Sequence, residues 1–253
     1  MKPIKLAILI TALGAVGCSS FQPLPEKALI APATVTEAIE LEQTLDNRKG
    51  VAIPQGASWF EVVEGTVPVI VTAPHATRPF RNGKYRFSDG GGTAALAVAI
   101  GELTGATVMY TTYEGPSDPN YYDNNAFKGQ LKQLIEKTKP KLVLDLHGSH
   151  PYRSYDIDIG TMNGASLLGE DALLDTLLAR LRSEGIDSLS YNRFPAAKHQ
   201  TITKFSSLQG VPAIQLEMNA TWVNPGSGNV EAQRFSKLLQ ALVRFIDESV
   251  KGE

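Results

Sequence analysis

Along this chain, short runs of β-branched and other apolar residues alternate with longer stretches in which apolar positions return every three or four residues. The first kind of pattern predicts strands at Val67 to Thr72, despite an early proline, and at Ala106 to Thr111, Lys141 to Leu146, Tyr155 to Thr161 and Val211 to Leu216. The second predicts helices over Thr93 to Leu103, Ala126 to Lys137, Leu167 to Arg182 and Val230 to Val250, with a short one over Thr36 to Asn47 and Thr36 as its N-cap. Strand and helix take turns throughout. The fold class expected is therefore α/β: one domain with a mostly parallel mixed sheet and helices on both faces. In such sheets ligands gather at the carboxyl ends of the strands.

The start of the chain follows a different pattern. Lys2 and Lys5 precede an almost wholly apolar run from Leu6 to Val16, which ends on Ala15-Val16-Gly17-Cys18. This is the layout of a secretory signal, too short to serve as a mature membrane span. The cysteine at the cleavage point resembles a bacterial lipoprotein box, although Ala15 stands where Leu is usual. That resemblance implies a lipidated Cys18 at the mature N-terminus, and Ser19 after it implies the outer membrane, facing the periplasm. The expected division is a signal peptide over 1–18, a Pro-, Ala- and Ser-rich tether with a short helix over 19–50, and a catalytic domain over 51–253. Cys18 is the only cysteine, so no internal disulfide can form.

Composition narrows the functions. The 253 residues carry a net charge of −2 and 43% hydrophobic residues, enough for one sizeable core. The near-neutral balance gives no electrostatic case for nucleic acid. The expected partner is a small molecule or peptide, with the membrane reached through the lipid anchor alone.

Candidate chemistry sits at the predicted strand ends. The first strand runs into Ala73-Pro74-His75-Ala76, the third ends on Asp145-Leu146-His147-Gly148, and the last on Gln215-Leu216-Glu217-Met218-Asn219. Imidazole and carboxylate oxygen are ligands that a borderline cation such as zinc accepts. Asp145 and His147 are two apart on a strand and point to one side, so Asp145 would orient His147 from behind. Gly148 would let the chain turn sharply or approach a substrate. For the third ligand Asp89 is the choice, in Ser88-Asp89-Gly90-Gly91-Gly92-Thr93, with Asp145 as the alternative. Asp89 would also serve as the N-cap of the following helix, and the glycines would allow tight packing as readily as ligand approach.

In order and context these segments resemble the N-formylglutamate amidohydrolase family, within the group that has the zinc carboxypeptidase type of hydrolase fold. The likeness spans residues 66 to 245. It implies one zinc ion on His75, Asp89 and His147, with Glu217 as general base. Relatives commonly carry Asp-x-Asn-Arg in mid-chain, whose arginine grips a substrate carboxylate. The match taken here is Asp123-Asn124-Asn125-Ala126, with the arginine lost. Asn125, Arg153 and His199 are the remaining substrate-binding candidates. The activity expected is hydrolysis of an amide in an N-acyl amino acid or small peptide, such as a cell-envelope peptide. The alternative is a noncatalytic envelope lipoprotein that binds a ligand on the same fold. A serine esterase is disfavoured because no Gly-x-Ser-x-Gly elbow occurs.

Overall fold

A computed structural model describes residues 27–88 and 90–251. The signal segment, Cys18, the first part of the tether and Asp89 lie outside the described residues. In chain order the elements are α1 (Pro32–Asn47), β1 (Phe60–Val63), β2 (Val67–Ala73), the hairpin β3 (Phe80–Arg81) and β4 (Lys84–Tyr85), α2 (Thr93–Thr104), β5 (Ala106–Thr111) and α3 (Ala126–Thr138). They continue with β6 (Leu142–Ser149), β7 (Ile157–Gly160), α4 (Asp171–Ser183), β8 (Leu189–Tyr191), α5 (Ile202–Leu208), β9 (Ala213–Asn219), α6 (Ala220–Val223) and α7 (Asn229–Lys251).

The main sheet has seven strands in the order β1-β5-β2-β6-β9-β7-β8. Its centre, from β5 to β9, is parallel; β1 pairs antiparallel with β5, and β7 antiparallel with β9. The expected fold class is the one observed. The antiparallel strands β1 and β7 make the sheet mixed, as expected; which strands run against the rest is not shown by an α/β alternation read from sequence.

The central strands are buried on both faces, and their residues divide between two cores with the period of two that a strand imposes. Leu142, Leu144 and Leu146 of β6 join Ile214, Leu216 and Met218 of β9 under α1, α2, α4 and α7. Val143 and Ala213 face the other way, onto Phe127 and Leu131 of α3 and Ile202 of α5. Asp145, His147, Gln215 and Glu217 continue that second face. The smaller α3/α5 layer thus ends where a polar row begins, and the cleft opens beyond it.

Several boundaries differ from those expected. Helix α1 begins at Pro32, not at a Thr36 cap; Thr36 lies inside it and its hydroxyl donates to the Pro32 carbonyl at 3.2 Å. A proline in the first turn costs no hydrogen bond and sets the helical φ. The stretch expected as one helix from Leu167 splits into a short 3-10 turn, Ala165–Leu167, and α4, because Leu168 and Gly169 adopt positive φ (55° and 94°) between them. Gly148 does not turn the chain: β6 stays paired with β9 as far as Ser149. Among the described residues no helix is long and apolar enough to cross a membrane.

Candidate active site

His147 stands on β6 directly beside Glu217 on β9, since the two are register partners in a parallel pair. One row back, Thr72 of β2, Asp145 of β6 and Gln215 of β9 are aligned in the same way. His75 lies in the turn just beyond β2. Its ring centroid is 4.9 Å from that of His147, with the planes at 78°. Residues separated by more than seventy positions are therefore brought into contact at one rim of the sheet.

Each imidazole is backed by a buried aspartate. His75 Nε2 lies 2.7 Å from Asp118 Oδ1. Asp118 is wholly buried, its Oδ1 also accepts from the Asn120 amide at 2.9 Å, and its Oδ2 has no hydrogen-bond partner. Burial alone would raise the Asp118 carboxyl, but the hydrogen bond and charge of His75 and the Asn120 amide hold it below its ordinary value. His147 Nε2 lies 3.0 Å from Asp145 Oδ2, near enough for an ion pair but out of line for a hydrogen bond. Asp145 accepts from Thr72 Oγ1 at 2.8 Å and stands 3.4 Å from Thr203 Oγ1. Burial pulls the His147 imidazole down, yet the carboxylates of Asp145, Glu217 and Asp118 together raise it to about 9. Glu217 Oε1 accepts from Gln215 Nε2 at 3.1 Å.

The two rings pass a test of fit for a shared cation. With metal–nitrogen bonds of about 2.0–2.1 Å and tetrahedral angles, two imidazoles on one ion have centroids about 5 Å apart. The 4.9 Å observed matches. Both aspartates approach Nε2, the arrangement in which a carboxylate fixes a ligating histidine and leaves its other nitrogen for the metal. Among the described residues, however, no set of three His, Cys, Asp or Glu side chains is gathered that could hold a metal ion. Asp145 is packed among Thr72, Thr203 and His147, the place of a supporting group. The other candidate third ligand, Asp89, lies outside the described residues. Its neighbours do point to packing: a Cβ on Gly90 would come within 2.1 Å of the His75 carbonyl oxygen, and one on Gly92 within 1.7 Å of the Val223 oxygen. Ser88 Oγ donates to the same His75 carbonyl at 2.5 Å. The cap of α2 is Gly92, at φ 78°.

A cleft of about 570 Å³ opens over these groups, lined by His75, His147 and Glu217 and also by Arg153 and His199. The His199 ring lies 4.7 Å from that of Tyr121. Asn125 is elsewhere. It caps α3 by accepting from the Lys128 amide at 2.9 Å and lines a separate hollow with Trp59 and Tyr122. Asp123 pairs with the buried Lys128 Nζ at 2.7 Å, and that ammonium also donates to the Gln200 carbonyl. The Asp-x-Asn segment that reaches the cleft is instead Asp118-Pro119-Asn120, five residues earlier. It has the same spacing as the pair chosen from sequence, and Tyr121 follows it where an arginine was expected.

Sequence reading missed Asp158, and it offered Arg81 only as one of four basic residues, with Arg86, Arg153 and Lys198, that could replace the lost arginine. Asp158 on β7 is buried opposite Glu217 and accepts from the Arg193 amide at 3.1 Å, the Phe194 amide at 2.8 Å and Ser190 Oγ, fixing one wall of the cleft. Arg81 comes from the small hairpin. Its guanidinium lies 4.4 Å above the Tyr121 ring, and its Nε is 3.8 Å from Asp118 Oδ2. The alternation Asp156-Ile157-Asp158-Ile159 was a usable sign for Asp158; two-residue strands leave none for the hairpin that singles out Arg81 among the basic candidates.

No family model matches the chain, and no curated protein matches it. Solved structures do. N-formylglutamate amidohydrolase from Ralstonia eutropha JMP134 superposes with a TM-score of 0.55 at 13% identity, covering 78% of this chain and 100% of that one. The gene product Atu2144 from Agrobacterium tumefaciens gives 0.51 at 12% identity, covering 77% and 96%. A bacteriophage poly-gamma-glutamate hydrolase gives 0.49 at 17% identity, covering 82% and 93%. At these identities the likeness is one of fold: the chain has the α/β architecture of N-formylglutamate amidohydrolase.

Proposed function

We propose that the protein is a metal-dependent amidohydrolase, with zinc the expected ion, acting on an N-acyl amino acid or small peptide. The observation that carries this reading is the pair of aspartate-backed imidazoles at 4.9 Å with Glu217 in register beside one of them. His75 and His147 would hold the ion, with Asp89 the expected third ligand. A divalent metal there would polarise the scissile carbonyl and acidify water. Asp118 and Asp145 hold the two rings in position. Glu217 takes a proton from the attacking water and delivers it to the departing amine. Gln215 keeps the Glu217 carboxylate aimed along the strand end. The fold shared with an amidohydrolase supports the same reading. A lipid anchor at Cys18 would place this activity at the cell envelope, where peptide fragments are at hand.

The decisive test joins metal analysis with turnover. Purified protein should retain about one equivalent of a divalent transition metal and hydrolyse a member of an N-acyl amino acid and peptide panel. Glu217→Gln should lower that rate by roughly 10²–10⁴-fold while keeping the metal. Full activity in Glu217→Gln removes it as the base. Protein that never takes up metal and never turns over substrate is instead the noncatalytic binding protein considered from the sequence.

A further inference from the structure

The hairpin β3–β4 lies outside the main sheet, at the mouth of the cleft. Its turn is Asn82-Gly83, with φ of 54° and 78°, the pair of positive values that suits a two-residue hairpin. From Asn82 to Phe87 six successive residues are exposed. Phe87, at 74%, is more exposed than any other large apolar residue described. The hairpin beneath them is braced. The Phe80 and Tyr85 rings meet at 5.1 Å, and the Arg78 guanidinium lies 5.6 Å over the Tyr85 ring while bonding the buried Glu114. Arg81 stacks on Tyr121. A fixed element therefore presents these side chains to the outside.

Charge sharpens the picture. Between Arg78 and Ser88 there are four basic residues and no acidic one, although the whole chain carries −2. Arg78 and Arg81 turn inward, onto Glu114 and Tyr121. Lys84 and Arg86 stay exposed beside Phe87, and among the described residues no carboxylate lies within ion-pair distance of either. The loop after β6 repeats the combination at the same rim of the sheet. Tyr152 there is 72% exposed, its ring 3.9 Å from that of His150 and 5.6 Å from the Arg153 guanidinium. Large rings left in water beside unpaired cations mark a surface meant to be covered. A soluble polyanion would engage the cations and leave the rings wet. An apolar protein face would cover the rings and strand the cations. The boundary of an anionic bilayer takes both, with rings among the headgroups and cations on the phosphates.

We infer that the β3–β4 hairpin, together with Tyr152 of the β6–β7 loop, docks the mouth of the cleft onto an anionic lipid surface. Phe87 and Tyr152 enter the headgroup layer, and Lys84 and Arg86 meet lipid phosphates. The cleft then opens toward the bilayer. This interaction stands whether or not the protein is a hydrolase, because it uses neither the histidines nor Glu217.

The test reads the hairpin locally, so it holds however the N-terminal segment meets the bilayer. The full chain carrying Phe87→Trp is mixed with vesicles whose acyl chains are brominated. One set is phosphatidylcholine alone, and the other contains phosphatidylglycerol. Trp59 and Trp222 are buried, and the unsubstituted chain gives their background. The introduced indole should shift to the blue and be quenched on the anionic vesicles, far less on the neutral ones, and less again at high salt. Adding Lys84→Gln and Arg86→Gln should lower the ratio of quenched to unquenched indole about 25-fold, roughly fivefold per charge. Tyr152→Ser should lower it several-fold, and thermal melts confirm that the variants fold. An indole that stays unquenched on anionic vesicles, with the chain bound or free, overturns the inference. Equal quenching on neutral vesicles overturns it too, as does binding of inorganic polyphosphate through Lys84 and Arg86 with no quenching by lipid. No effect of Tyr152→Ser overturns the two-loop footprint.

Discussion

The two histidine–aspartate pairs do the same work by opposite means. His147 and Asp145 are neighbours on one strand, two residues apart, and the period of β6 alone puts them on one face. His75 and Asp118 are 43 residues apart, and only the folding of two loops brings them to 2.7 Å. The first pair sits inside the sheet, with the His147 side chain 4% exposed; the second is at its edge, with His75 at 19%. A strand supplies rigidity and hides the charge. A loop supplies reach and keeps the ring partly wet.

The largest effects should come from deleting either ring. His147→Ala and His75→Ala should both abolish retention of a divalent metal, read by elemental analysis of the folded protein. Retention in one of them alone would assign the ion to the other pair. Removing the supporting carboxylates should separate the pairs. Asp145→Ala removes the counter-charge nearest the buried His147 imidazolium and should cost about 3–5 kcal/mol in chemical denaturation. Asp118→Ala should cost less, since water can reach His75. Equal losses would mean that burial of the ring does not set the energetics.

The pairs should also divide the pH axis. The His147 imidazole is raised to about 9, so its contribution to stability is complete below the ordinary value of 6.5 and is lost as pH rises through about 9. The Asp118 carboxyl is lowered, so its contribution is complete above 3.8 and is lost as pH falls through its depressed value. The metal-free protein should accordingly lose an alkaline limb in Asp145→Asn and an acid limb in His75→Gln, in melting temperature against pH. The smallest effect belongs to Asn125→Ala, outside the cleft. It should leave turnover unchanged and cost about 1 kcal/mol through the lost α3 cap.

The contrast between the pairs also explains what could be read in advance. Strand β5 was expected over the residues it occupies, and α2 and α3 to within a residue, because their hydrophobic periods are long and unbroken. His75, Asp145, His147 and Glu217 were legible because each ends or follows an apolar strand. Asp118 was not, because it belongs to an irregular stretch and its role exists only across the fold. The same spacing of Asp and Asn occurs twice between 118 and 125, and pattern cannot say which copy faces the cleft; the one chosen proved to be a helix cap. Arg81 could be named only as one of several basic candidates for a related reason, since the hairpin that places it has two residues per strand and no periodicity to detect. The direction of β7 is set by its pairing with β9, which alternation along the chain does not encode.

The pairing of His147 with Glu217 across β6 and β9 has one more consequence. Backbone hydrogen bonds hold both residues in a single ladder that continues to Ser149 and Asn219. Glu217, the proposed proton acceptor, and one imidazole therefore form a stiff unit whose spacing exists before any ligand arrives. Adjustment to a visitor falls to the loops that line the rest of the cleft, the turn that carries His75 among them, which would close against a fixed anvil.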